Sequence, residues 1–254
     1  MMVSTVNSDY KPEITIFKSL DAMANEFFDF LVDDITNVLM QRRKYHIVVS
    51  GGTTPLKIFE KLNSIDLDKM KWDYLHVYWG DERCVPPENP ESNYGNAWNT
   101  IIRYLDIPGQ NIHRIKGEDD PVEECFRYQD ILRNFVPVKN GLPCFNLFML
   151  GIGEDGHTAS IFPDQMDLLT SDSLCSLAKH PVSGQLRISL SGKVINNAEK
   201  VLFIATGKSK AKLIESIVKR EKACDIYPAA HINPTHGILK WYLDREAGRN
   251  LKSN

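Results

Sequence analysis

Apolar residues recur along this chain with two periods. Between 22 and 40 they stand at Met23, Phe27, Leu31, Ile35 and Val38, a spacing that keeps them on one helical face, so an amphipathic helix is predicted. Short apolar runs bounded by turn residues come next: HIVVS (46–50), LHVYW (75–79), CFNLFML (144–150), RISLS (187–191), KVLFIAT (200–206) and GILKWYL (near 237–243). Runs of this length predict buried strands. Helix-period segments lie between them, from Pro55 to Leu62, near 92–104, near 121–135 and at 208–219. Such alternation predicts an α/β fold, a mostly parallel sheet with helices on both faces. No repeat, low-complexity tract or Gly/Ser linker divides the chain, so residues 1–254 are expected to form a single domain.

Open parallel sheets bind ligands at the carboxyl ends of their strands. Three unusual loops follow predicted strands there: SGGTTP (50–55), GDERCVPP (80–87) and GIGEDGHTAS (151–160). One shared site is the economical expectation. In SGGTTP, Pro55 opens a helix, Thr54 is the expected N-cap, and the glycines let backbone N–H groups approach a ligand. With the positive end of the helix dipole this makes an anion cradle suited to phosphate. There is no G-K-[ST], so it is not a nucleotide P-loop. Arg187, at the start of RISLS, and Lys208 and Lys210, in a first helical turn that disfavours cations, are candidate phosphate partners. Asp81, Glu82 and Arg83 would alone read as a surface ion pair worth little; in a shared site they form a polar network. Beyond them Ser92 is an expected N-cap, and Asn93 can reach a ligand.

The segment LGIGEDGHTASIFP (150–163) contains G-x-G-x-x-G at Gly151, Gly153 and Gly156, the spacing of a dinucleotide fingerprint. Pro163 leaves no room for the long helix that motif needs, and Glu154 and Asp155 would repel a pyrophosphate. A nucleotide cofactor is therefore not expected, and the glycines are expected to carry little information. Asp155 and His157 remain, two residues apart. A histidine can take a proton from water at neutral pH, and a nearby carboxylate can orient the ring. The other histidines (46, 76, 113, 180, 231, 236) lack a comparable setting, and neither G-x-S-x-G nor H-E-x-x-H is present. Neither a serine nucleophile nor a catalytic zinc, nor any other metal, is expected.

Composition narrows the partners. The 254 residues are 43% hydrophobic and 25% charged with net charge −3, and the basic groups QRRKYH (41–46) and VKREK (218–222) read as solvated helix ends. Neither nucleic acid nor a membrane is an expected partner. Cysteines 84, 125, 144, 175 and 224 are odd in number and lack C-x-x-C, which with no signal-peptide pattern predicts a reduced, cytoplasmic setting. The acidic stretch GEDDPVEE (117–124) reads as a helix start.

Together SGGTTP, WGDERCVP with SNYGNAW, and GIGEDGHTASIFP resemble the signature segments of the glucosamine-6-phosphate isomerase/6-phosphogluconolactonase superfamily, on its lactonase side. RISLS, ATGKSKA and the YPAAHI…WYLDREA tail extend the resemblance over nearly the whole chain. It implies a modified Rossmann-like sheet and hydrolysis of 6-phospho-D-glucono-1,5-lactone to 6-phosphogluconate, without nucleotide or metal. His157 would then be the general base, Asp155 would orient it, and Asp81 and Arg83 would shape the pocket. Ser50, Gly51, Gly52 and Thr53 would hold the phosphate, helped by Arg187 and Lys210, with Asn93 also at the substrate. The sister deaminases carry G-H-[IL]-A-F-N-E-P; here GHTASIFP has no Glu before Pro163, which argues against a deaminase/isomerase. A non-catalytic sugar-phosphate sensor would need a DNA-binding module, and no such pattern precedes residue 45. The expected partner is a small sugar-phosphate lactone, the expected assembly a monomer or small homo-oligomer.

Overall fold

The computed structural model describes residues 11–62 and 71–251. Strand β1 (Glu13–Phe17) leads into helix α1 (Leu20–Met40), whose start is capped by Ser19 and whose predicted apolar face is buried. β2 (Tyr45–Val49), α2 (Thr53–Leu62) and β3 (Leu75–Trp79) follow, and after Gly80 the chain continues as a short strand, β4 (Asp81–Arg83). Next come α3 (Asn93–Thr100), β5 (Ile112–His113) and α4 (Pro121–Phe135). The acidic stretch starts α4 as expected: Asp120 accepts from the backbone N–H groups of Val122 and Glu123, and Pro121 fills the first turn. A small hairpin, β6 (Val138–Lys139) and β7 (Leu142–Pro143), precedes β8 (Leu147–Leu150). The last third holds β9 (Cys175–Lys179), β10 (Leu186–Leu190), α5 (Gly192–Asn196), β11 (Lys200–Ala205), α6 (Ala211–Val218) and β12 (Ile238–Asp244). Among the described residues no helix is long and apolar enough to cross a membrane.

Seven strands form the central sheet in the order β1-β12-β11-β8-β2-β3-β5, with every neighbouring pair parallel. All residues of β2, β3 and β8 are buried, so these strands read as largely apolar runs, broken only by His46 and His76, rather than as alternating ones. From β2 the chain builds outward to β3 and β5 on one side, then returns to β8, β11 and β12 on the other. The order reverses between β2 and β8, and a crevice opens beyond the carboxyl ends of strands at such a point. SGGTTP follows β2 and GIGEDGH follows β8, so both loops stand at that crevice.

Two elements differ from expectation. RISLS is not a strand of the central sheet: as β10 it pairs antiparallel with β4 and β9 in a separate three-stranded sheet. A short apolar run looks alike in either sheet; the partner is decided by Gly80, whose N–H donates to Val49 O (3.1 Å) while its carbonyl accepts from Leu190 N (2.8 Å). Strand β1 was not anticipated. Its five residues, EITIF, alternate only over a short stretch, with Glu13 and Thr15 exposed, Ile14 and Ile16 half-buried and Phe17 buried, and the strand is defined by its pairing with β12.

Candidate active site

The end of β2 and the first turn of α2 form one wall of a pocket that is open at its mouth. Ser50, Gly51, Gly52 and Thr53 all line it. Thr54 is not the N-cap that the sequence pattern predicts. The Gly52 carbonyl accepts from Leu56 N (3.4 Å), so the helix starts ahead of Pro55, and the buried Thr54 hydroxyl instead meets that of Thr206 at 2.9 Å. That contact ties the first turn of α2 to the end of β11 and leaves the helix's first N–H groups, with their partial positive charge, at the pocket wall.

Strands β4 and β10 supply the opposite wall. Their register sets Arg187 across from Arg83, and Ser189 across from Asp81. Two cations face one another there, an arrangement that repels unless an anion comes between them. Burial lowers the affinity of the Arg187 guanidinium for its proton, and the charge of Arg83 lowers it further. Nε of Arg83 and Nε of Arg187 are buried without a hydrogen-bond partner, and so is Oδ1 of Asn93; all three residues line the pocket. Arg83 Nη1 donates to the Glu91 carbonyl (2.5 Å). Asp81 is held on two sides: its Oδ2 accepts from the Ser160 hydroxyl (2.7 Å), and Asn93 Nδ2 donates to its carbonyl (2.9 Å) and Oδ1 (3.3 Å).

Glu82 does not form the surface ion pair that GDER suggests. Side chains alternate along a strand, so with Asp81 and Arg83 facing the pocket, Glu82 points the other way and is buried beneath α3. There its carboxylate accepts from the backbone N–H groups of Arg83 (2.8 Å), Asn93 (2.6 Å) and Tyr94 (2.7 Å), and from the Ser92 hydroxyl (3.2 Å). Ser92 caps α3 as expected, accepting from Gly95 N (3.0 Å). Reading DER as a strand is the signal that would have found Glu82.

The third wall is the loop after β8. Nδ1 of His157 lies 2.5 Å from Oδ1 of Asp155, and His157 N donates to the same oxygen (3.1 Å). The carboxylate thus takes Nδ1–H and leaves Nε2 as the ring's free acceptor. Burial pushes the Asp155 carboxyl up, but the hydrogen bonds and charge of His157 outweigh it and hold it below the usual aspartate range. His157 lines the pocket; Asp155 stands behind it. The glycines of this loop are more informative than expected. A Cβ on Gly153 would lie 2.2 Å from His157 Nδ1 and 2.6 Å from Asp155 Oδ1, so the pair can fold back only onto a residue without a side chain.

Lys210 completes the lining, whereas Lys208 is not part of it. Burial lowers the Lys210 ammonium from its ordinary value, opposed by the charges of Glu154 and Asp244. The basic groups away from the pocket are less free than expected: Arg43 pairs with Glu199 (3.1 Å), and Arg220 Nη1 donates to the Ala230 carbonyl (2.5 Å). Likewise His46, His76 and His113 do have a setting of their own, a buried stack on β2, β3 and β5 outside the pocket.

Residues 18–241 match the family model described as glucosamine-6-phosphate isomerases/6-phosphogluconolactonase. The chain belongs to that family. A 6-phosphogluconolactonase from Haemophilus influenzae is 42% identical over 207 residues, covering 81% of this chain and 87% of that protein. The crystal structure of the devB protein superposes with a TM-score of 0.87 at 39% identity, over 95% of this chain and 100% of that one. A 6-phosphogluconolactonase structure from Trypanosoma brucei gives a TM-score of 0.85 at 25% identity, over 96% and 100%. The contrast with the deaminase pattern G-H-[IL]-A-F-N-E-P turns on the residue before Pro163. Here it is Phe162, fully buried, its ring 4.9 Å from that of His157, 5.3 Å from that of His180 and 5.6 Å from the Arg187 guanidinium carbon. No carboxylate stands at this place to serve an isomerase.

Proposed function

We propose that this protein hydrolyses 6-phospho-D-glucono-1,5-lactone to 6-phosphogluconate with His157 as the general base. The observation that carries the reading is that a carboxylate-bound imidazole and a set of anion-binding groups open into one pocket. The substrate's phosphate is received by the Ser50–Thr53 turn, the N-terminus of α2, Lys210 and Arg187. Anchoring it there fixes the lactone carbonyl relative to His157 and lowers the entropy cost of attack.

A δ-lactone is an activated ester, so a positioned water and a base suffice. Nε2 of His157 takes a proton from the water as its oxygen bonds to the carbonyl carbon, and Asp155 stabilises the resulting imidazolium. Negative charge gathers on the former carbonyl oxygen, for which the unpartnered Nε of Arg83 or the loop amides near Gly153 to Gly156 are candidate donors. Collapse breaks the bond from that carbon to the ring oxygen, which leaves as a hydroxyl with the proton returned by His157. The reading keeps the cytoplasmic setting expected from the sequence, without nucleic-acid or membrane partners, as a monomer or small homo-oligomer.

The test is a coupled assay on freshly generated 6-phosphogluconolactone with the parent protein and His157→Ala. The parent accelerates hydrolysis and the variant, folded by thermal melt, does not. A parent that adds nothing to the spontaneous rate ends the assignment. Gluconolactone without phosphate is expected to be a poor substrate.

A further inference from the structure

We infer that Glu82 is a positioning residue for this reaction: its carboxylate clamps the first turn of α3 onto β4 and thereby sets Asp81 and Asn93 at the pocket. The inference rests on the lactonase reading above. Glu82 is 1% exposed, and among the described residues no cation lies within ion-pair distance of it. A carboxylate buried without a counter-ion is costly, and a neutral side chain would fill the space at less expense. What the charged group provides is four acceptances at once, from residues 83, 92, 93 and 94. Two of these donors are first-turn amides of α3, where the helix dipole favours a negative charge.

The clamp acts through Asn93. That residue opens α3, and its side chain in turn donates to both the carbonyl and the carboxylate of Asp81. Asp81 and Asn93 line the pocket while Glu82 does not, so any effect of Glu82 on catalysis passes through its neighbours. The charged and titratable groups around it are Asp81, Arg83 and Cys84 along its own strand, Tyr94 on α3 and Arg187 on β10. Burial pushes the Glu82 carboxyl up to about 7, against the pull of the Tyr94, Asn93 and Arg83 amides and with a smaller push from Asp81. The clamp is therefore ionised above neutral pH and is released as pH falls through that value.

The experiment compares parent, Glu82→Gln and Glu124→Gln by thermal melt and by kcat/KM from about pH 5.5 to pH 8.5. Gln keeps the shape but turns an amino group toward backbone donors. Glu82→Gln is expected to lose about ten-fold or more of kcat/KM on the plateau and to show one ionisation fewer on its acid limb. Glu124 is an equally buried carboxylate outside the pocket, accepting from Lys116 N (2.7 Å) and paired with Arg127; its variant should melt lower yet keep the parent's limb. If Glu82→Gln does not fold, Glu82→Asp, which retains the charge, should show a reduced plateau with the limb unchanged in order. A Glu82→Gln rate within about two-fold of the parent with the parent's limb overturns the role, as does the same altered limb in Glu124→Gln. An inactive parent overturns the lactonase reading and this role with it, whereas an active parent with an unaltered Glu82→Gln overturns this role alone.

Discussion

Gly51 and Asn93 are packed so closely that a Cβ on Gly51 would sit 1.7 Å from Oδ1 of Asn93 and 2.2 Å from its Cγ. Asn93 cannot swing aside, because its Nδ2 donates to Asp81 and its backbone N–H to Glu82. The contact joins the phosphate-side turn to the β4–α3 wall. Gly51→Ala should displace one or the other, lowering kcat/KM by about a hundred-fold or more, since shifts of about 1 Å in a positioned site have that cost. Steady-state kinetics on the folded variant check this; a rate near the parent's would mean that the two walls move independently.

Asp155→Asn preserves the shape of the His157 partner and removes its charge. An amide can offer Nδ1 a donor instead of an acceptor, which would turn the ring to the tautomer with Nε2–H and disable it as a base. The expected loss is about a hundred-fold or more in kcat with KM little changed. A variant whose kcat stays close to the parent's would remove Asp155 from the mechanism.

His46, His76 and His113 predict acid lability. Nδ1 of His76 lies 3.0 Å from Nε2 of His113, and Nδ1 of His46 lies 3.1 Å from the Tyr78 hydroxyl. Burial lowers all three rings, His46 to about 3 and the other two to about 4, and neighbouring positive groups, Lys44 among them, add to the effect. An unfolded chain protonates its histidines near 6.5, so these folded-state values are depressed. Their stabilisation is present above about pH 6.5 and is lost as pH falls toward 4, at a cost on the order of a few kcal/mol. Thermal melts between pH 7 and pH 4.5 should show a steep fall in Tm, and the paired change His76→Leu with His113→Leu should flatten it. An unchanged slope in that double variant would exclude the stack as the cause.

The parallel α/β architecture was legible because its inner strands are buried on both faces. Such strands are mostly apolar, and LHVYW and CFNLFML announce themselves without knowledge of their neighbours. The same holds for the site's chemical groups. Ser50, Gly51, Gly52 and His157 lie in loops after strands of the central sheet and line one pocket, with Asp155 behind His157. Chain position alone implied their meeting, given where parallel sheets place their loops.

Partnership was not legible, because it depends on what faces a residue from far along the chain. Glu82 looked like half of an ion pair until α3 set its amides above it, and three dispersed histidines became a stack only through the alignment of β2, β3 and β5. Arg187 and Arg83, 104 positions apart, oppose each other only through an antiparallel pairing that a short apolar run does not specify. Local sequence determined which segments could be buried and which chemical groups the loops carry, since burial and turn chemistry act over a few residues. Tertiary structure alone decided which of those groups are charged, paired or left wanting an anion, since Coulomb forces and desolvation depend on every atom packed around them.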